Sequence, residues 1–209
     1  MTKENKKSVL DISWIYRLSQ AVFALGAEGS IKHEIATLFK KLPSVDSVLD
    51  IGCGPSSYLW LLGVHPIGLD ISLSYAKTFR TRGGIAIEGS ATDLPFRNNS
   101  LGSVWSFGLL HHLANSGVSK VIREMMRVCQ GDGYIVIFDG VRPDSFWRRP
   151  LASVIRMLDR GAFMRRQEDL ENLLPDRGNW ACKRFRYALT GLEGVLCIYR
   201  RNGVMPYGI

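Results

Sequence analysis

The chain lacks any apolar run near the ~18–20 residues that a membrane-spanning helix requires, so no transmembrane segment is expected among its 209 residues. No apolar stretch follows the charged opening Met1 to Lys7, and no signal peptide is expected. The four cysteines, Cys53, Cys129, Cys182 and Cys197, have none of the spacings that chelate a metal. They read as buried, reduced thiols of a cytoplasmic protein. Internal repeats and low-complexity linkers are absent too, which argues for one domain, 1–209. Acidic residues are the scarcer charge, 19 against 27 Lys and Arg, for a net +8. Residues 141–209 carry +6 of that excess and residues 1–140 only +2. Such a surface suits an anionic partner or substrate: a phospholipid bilayer, a phosphorylated small molecule or RNA.

What the chain does have is alternation. Short, nearly continuous apolar runs at 47–51, 66–70, 85–89, 101–107 and 133–139 read as strands buried on both faces. Helical stretches separate them, so a doubly wound α/β fold with a mostly parallel sheet is expected. Asp11 to Leu25 and Ser30 to Leu42 read as N-terminal helices, and Val118 to Val128 as an amphipathic one. Runs from Lys183 to Leu189 and from Val195 to Arg200 read as an antiparallel hairpin. After the first strand comes Gly52-Cys53-Gly54-Pro55-Ser56-Ser57, and the second strand ends in Asp70. Glycines permit a sharp turn and close approach of a ligand, and the helix start behind them offers unpaired N–H groups. A strand-end carboxylate accepts from ribose hydroxyls, or else caps the next helical turn. The third glycine of a dinucleotide fingerprint is missing, which disfavours a nicotinamide dehydrogenase.

The segment Asp50-Ile51-Gly52-Cys53-Gly54-Pro55 resembles the first motif of the class I S-adenosylmethionine-dependent methyltransferases. Gly89-Ser90-Ala91-Thr92-Asp93-Leu94-Pro95-Phe96 looks like that family's adenine-contacting segment. Leu109 to Leu113 and Glu124 to Tyr134 look like its later blocks. The similarity is to the small-molecule branch that includes the ubiquinone and menaquinone methyltransferases, and it covers roughly Ser44 to Pro143. It implies a seven-stranded, Rossmann-like sheet closed by a C-terminal antiparallel hairpin. It implies S-adenosyl-L-methionine as cofactor and S-adenosyl-L-homocysteine as product. Gly52, Cys53 and Gly54 would face the methionine part, and Asp50 would orient the turn and reach the amino group. Asp70 would take the ribose and Ile71 pack on the adenine. Asp93 would accept from the adenine amine, with Leu94 beside it, unless Asp93 is only an Asx-turn residue. The Ser106 backbone would face the methionine amine, and Tyr16 would cover the cofactor or pack in the core.

Methyl transfer is an in-line displacement that depends mostly on proximity. His111 is the candidate catalytic base, or else Leu110-His111-His112-Leu113 only shapes the cofactor pocket. Asp139, at the end of the fifth strand, is a candidate for substrate contact. Phe146 to Arg166 is basic and aromatic, either a lid lying on an anionic membrane surface or an ordinary helix with a basic rim. The organisation expected is an N-terminal helical lid (1–43), a cofactor-binding core (44–140), a substrate-lid insertion (141–182) and a closing hairpin (183–201). The function expected is methylation of a small acceptor, lipophilic or anionic, by a cytoplasmic enzyme with peripheral contact to the inner face of the membrane. Nucleic acid is disfavoured as a partner, because no Asp/Asn-Pro-Pro-Tyr/Phe element follows the fourth strand and no stacking array is present. An RNA methyltransferase and a non-catalytic cofactor-binding protein are the alternatives.

Overall fold

The computed structural model describes residues 27–143, 163–175, 179–187 and 191–201. Tyr16, the expected helix from Asp11 and nearly all of the basic 146–166 stretch lie outside them.

Alternating apolar side chains with both faces covered make each central strand. In β1 (Val48–Ile51), Leu49 and Ile51 are fully buried on one face and Asp50 is buried between them. β2 (Ile67–Asp70) and β4 (Leu101–Phe107) flank β1 in parallel. β3 (Ile85–Glu88) lies beyond β2, and β5 (Cys129–Val141) beyond β4. β7 (Glu193–Arg200) runs antiparallel against β5, and β6 (Trp180–Arg186) closes the edge. The order β3-β2-β1-β4-β5-β7-β6 is the expected seven-stranded, mostly parallel sheet with its antiparallel hairpin.

Helices cover the two faces. α1 (Ala27–Phe39) starts three residues before the expected Ser30 and buries Ile31, Ile35 and Leu38 against Trp105, Tyr134 and Ile198. α2 (Leu73–Thr81) buries Ala76 and Phe79, and its Ser72 hydroxyl caps the Tyr75 N–H. α3 (Asn115–Val128) starts three residues before the expected Val118, on the turn that follows β4. Val118, Val121, Ile122, Met125 and Val128 form its buried stripe against Ile135 and Ile137 of β5. The helix start behind the glycine turn is a 3-10 helix, Tyr58–Leu62, capped by Ser57. A short α4 (Gln167–Glu171) precedes β6.

One sequence reading fails here. Register places Cys182 of β6 opposite Cys197 of β7, and the two form a disulfide. Only Cys53 and Cys129 are buried free thiols. Pairing of residues fifteen apart depends on where the hairpin turns, which composition does not reveal.

The chain passes from β1 outward to β3 and then returns to β4 on β1's other side. The loops leaving β1 and β4 therefore diverge at the carboxyl edge, opening the crevice where α/β sheets bind ligands.

Candidate active site

The loop after β1 is tied to the end of β2. Gly52 and Gly54 have φ of 69° and 60°, left-handed conformations that glycine adopts without cost. Gly52 N–H donates to the Leu69 carbonyl at 2.7 Å, and Gly54 N–H to Asp70 Oδ2 at 2.9 Å. Asp70 Oδ1 accepts from Ser72 N–H at 2.8 Å. The capping alternative for Asp70 is thus real, and the same carboxylate also braces the glycine loop. Each oxygen keeps lone-pair capacity for a further donor. A side chain at Gly54 would meet nothing within 4 Å, so the loop faces open space. Directly after Asp70, Ile71 is 78% exposed, an apolar surface with nothing laid on it among the described residues.

Two buried polar atoms have no partner among the described residues, Asp50 Oδ1 and, on the other face of the sheet, Ser106 Oγ. They sit on adjacent strands, where register aligns Ile51 with Ser106. Burial pushes the Asp50 carboxyl up to about 7, the Ser57 hydroxyl opposes, and the nearby Asp70 charge adds to the rise. A buried acid with an orphaned oxygen, near an open glycine turn, fits a cationic amine. Cys53 is no nucleophile: burial first, then Asp50 and Asp70, pushes its thiol up to about 12.

On the far side of β2, the segment after β3 turns on Ser90 rather than on Asp93. Ser90 Oγ accepts from Thr92 N–H at 3.2 Å, and the Ser90 carbonyl accepts from Asp93 N–H at 3.2 Å. Asp93 is exposed and its carboxylate accepts no hydrogen bond among the described residues. Leu94 is buried in the core and anchors the segment.

Across the crevice, β4 runs into Gly108 and a single 3-10 turn, Leu110–His112. Leu109 packs over Gly52, so the two loops touch. His111 Nδ1 lies 2.6 Å from Asp139 Oδ1. Asp139 Oδ2 accepts from Leu110 N–H at 2.6 Å and His111 N–H at 3.1 Å. Asp139 is 2% exposed with both oxygens engaged, so the expected substrate contact gives way to support of His111. A carboxylate already holding two backbone donors takes the imidazole Nδ1–H as a third and leaves Nε2 as an acceptor. Nearby, Tyr58 packs on Phe107 with ring centroids 5.5 Å apart. Tyr58, Trp60, Leu61, Ser56, Ser57 and Glu28 line a cleft of about 330 Å³ beside the glycine loop.

Residues 49–137, which run from β1 into β5 and carry every feature above except Glu28 and Asp139, match the methyltransferase domain family. Over that span the chain is similar to methyltransferase domains. Over 109 residues it is 33% identical to a tRNA (carboxymethyluridine(34)-5-O)-methyltransferase of Arabidopsis thaliana, covering 50% of this chain and 26% of that protein. The chain thus spans about a quarter of that relative's length. An uncharacterized methyltransferase of Synechocystis sp. is 27% identical over 190 residues, covering 86% and 89%. The fold is shared with a SAM-dependent methyltransferase from Archaeoglobus fulgidus, at a TM-score of 0.69 and 18% identity, over 88% of this chain and 98% of that one.

Sequence reasoning missed three residues that shape the candidate site. Glu124 Oε2 accepts from Leu94 N–H at 2.7 Å, and Arg127 donates to the carbonyls of Leu94 and Phe96 and to Glu124. This α3 pair staples the segment that carries Asp93. Arg165 does the same for the turn that carries His111. The only signal available was charge at helix positions just behind the buried stripe of α3. For Arg165, far away in sequence, no signal exists.

Proposed function

We propose that this chain transfers the methyl group of S-adenosylmethionine, by in-line displacement, to a small acceptor, lipophilic or anionic. When bound, the cofactor supplies an electrophilic methyl carbon on a sulfonium. Asp50 would accept from its ammonium, and the Ser106 backbone would face the same group. Gly52, Cys53 and Gly54 would line the methionine part, Asp70 the ribose, Ile71 the face of the adenine and Asp93 its amine. His111 Nε2 would take the proton of an acceptor O–H or N–H as the new bond to carbon forms and the sulfur–carbon bond breaks. Asp139 holds the imidazole for that task. The observation that carries the reading is the His111–Asp139 pair at 2.6 Å on a loop packed against the glycine turn. A general base of this kind contributes typically 10²–10⁴-fold.

Label transfer from methyl-labelled S-adenosylmethionine into fractionated cell extract tests it. Label in lipids or soluble metabolites, lost with Asp70→Ala and reduced at least about a hundredfold with His111→Gln, is expected. An unlabelled extract at any cofactor concentration would sink the reading.

A second reading takes RNA as the acceptor. The name of the Arabidopsis relative supports it, and so does the excess of +6 in residues 141–209. Label in phenol-extracted RNA would select it. The same basic excess suits peripheral contact with an anionic membrane, and sedimentation with phosphatidylglycerol vesicles at low salt reports on that.

A further inference from the structure

A buried cation has been placed against the turn that carries His111. Arg165 is 9% exposed. Its Nη1 donates to the Leu110 carbonyl at 2.9 Å and to the Phe163 carbonyl at 3.0 Å. Its Nη2 donates to the Leu113 carbonyl, and its Nε to Asn115 Oδ1 at 2.9 Å. One guanidinium therefore grips the carbonyls on either side of His111-His112 together with the first residue of α3. Lysine could not reproduce this, because the planar fork sends fixed donors to several acceptors at once.

Arg165 is itself fixed to the sheet. Its carbonyl accepts from Arg142 N–H at 2.8 Å, and it bridges Val141 at the end of β5. That strand carries Asp139, two residues earlier. Phe163 N–H also donates to the His111 carbonyl at 3.1 Å. Burial drives the Arg165 guanidinium below its ordinary range, and the charges of Asp139 and Asp169 oppose that drop. Asp139 thus meets the same turn from one side and Arg165 from the other. The carboxylate takes the turn's N–H groups and imidazole, and the guanidinium takes its carbonyls.

We propose that Arg165 is a positioning residue for methyl transfer: it holds the Leu110–Leu113 turn so that His111 keeps its Nδ1 on Asp139 and its Nε2 free for the acceptor. This rests on the reading of His111 as the base. Arg165 touches neither cofactor nor acceptor in this account. It acts through the orientation of a ring whose displacement by about 1 Å can cost 10²-fold in rate.

The test uses the full chain labelled with ¹⁵N-histidine, with imidazole nitrogen shifts recorded for wild type, Arg165→Met and Asn115→Ala. His111→Gln assigns the signal. Wild type is expected to show a fixed Nδ1–H tautomer at His111. Arg165→Met is expected to show averaged tautomers, and Asn115→Ala an intermediate value. Alongside, Arg165→Met should bind S-adenosylhomocysteine within about twofold of wild type, while label transfer falls about tenfold to a hundredfold. A His111 tautomer unchanged in Arg165→Met overturns the inference, as does loss of S-adenosylhomocysteine affinity in step with rate. If Arg165→Met does not fold, Asn115→Ala decides, since it removes an exposed side chain and only one of the four bonds; an unchanged tautomer there overturns the inference equally. Wild-type transfer by His111→Gln would instead remove the base reading, whatever the imidazole shifts show.

Discussion

Asp50 concentrates the chemistry of the site in one carboxyl. Its ordinary value is 3.8 and burial raises it to about 7, so the folded apo protein prefers the neutral acid. A raised folded value stabilises the fold fully below the unfolded pKa, and that stability is lost as pH rises through about 7. Asp50→Asn, neutral at every pH, should therefore raise the apo melting temperature at pH 8 and change it little near pH 3.8, where the loss only begins. Thermal melts at the two pH values check this, and a lower melting temperature for the variant at pH 8 would refute the burial account. If Asp50 holds the S-adenosylhomocysteine ammonium as proposed, binding selects the ionised acid, and calorimetry should find tighter binding at pH 8 than at pH 6 in wild type only. Asp70 has a different task. Asp70→Ala strips partners from Gly54 N–H and Ser72 N–H, each worth about 1–3 kcal/mol when left unpaired. Its affinity for S-adenosylhomocysteine should drop at least about tenfold by calorimetry.

At the scale of elements, α3 does more than cover the sheet. Its buried stripe was readable from the spacing of Val118, Val121, Ile122, Met125 and Val128. Its start was not, because Asn115 to Gly117 are polar or small residues with poor intrinsic preference and enter the helix on the turn after β4. Its polar shoulder reaches Leu94, Phe96 and Asn98 through Glu124 and Arg127. Arg127→Met should leave the fold intact, speed hydrogen exchange at the Leu94 amide and weaken S-adenosylhomocysteine binding by about 1–3 kcal/mol. An unchanged exchange rate would show that Glu124 alone holds the segment. Strand identities followed from apolar runs bounded by turn residues. The hairpin's extent did not, since β6 begins at Trp180 with Ala181 and Cys182, before the basic residues that seemed to open it.

For the molecule as a whole, the hairpin is what completes the sheet. Each β5 residue from Tyr134 to Val141 pairs with β7, and Val195, Leu196, Cys197 and Ile198 are at most 2% exposed. Lys183 of β6 reaches Glu34 of α1 at 3.0 Å, joining the two ends of the described chain over the same face. Truncation before residue 179 would uncover the β5 edge and this apolar surface, and the product is expected in the insoluble fraction. The Cys182–Cys197 crosslink closes a loop of separation 15, worth about 3 kcal/mol through the unfolded chain. Melting with and without dithiothreitol should differ by several degrees, and equal curves would mean that the thiols are reduced in the purified protein.

The sequence by itself determined the strand positions of the first half, the glycine turn, the acid at the end of β2 and the candidate histidine. Each of these is a local pattern: an apolar run, a residue type at a turn, or a fixed spacing between them. Tertiary structure alone decided which polar groups meet. It turned Asp139 from a substrate contact into the support of His111, paired Cys182 with Cys197, and brought Arg165 onto a turn more than fifty residues away in sequence. Such meetings depend on strand register and on crossovers that bring distant segments to one edge, and no window of sequence contains them.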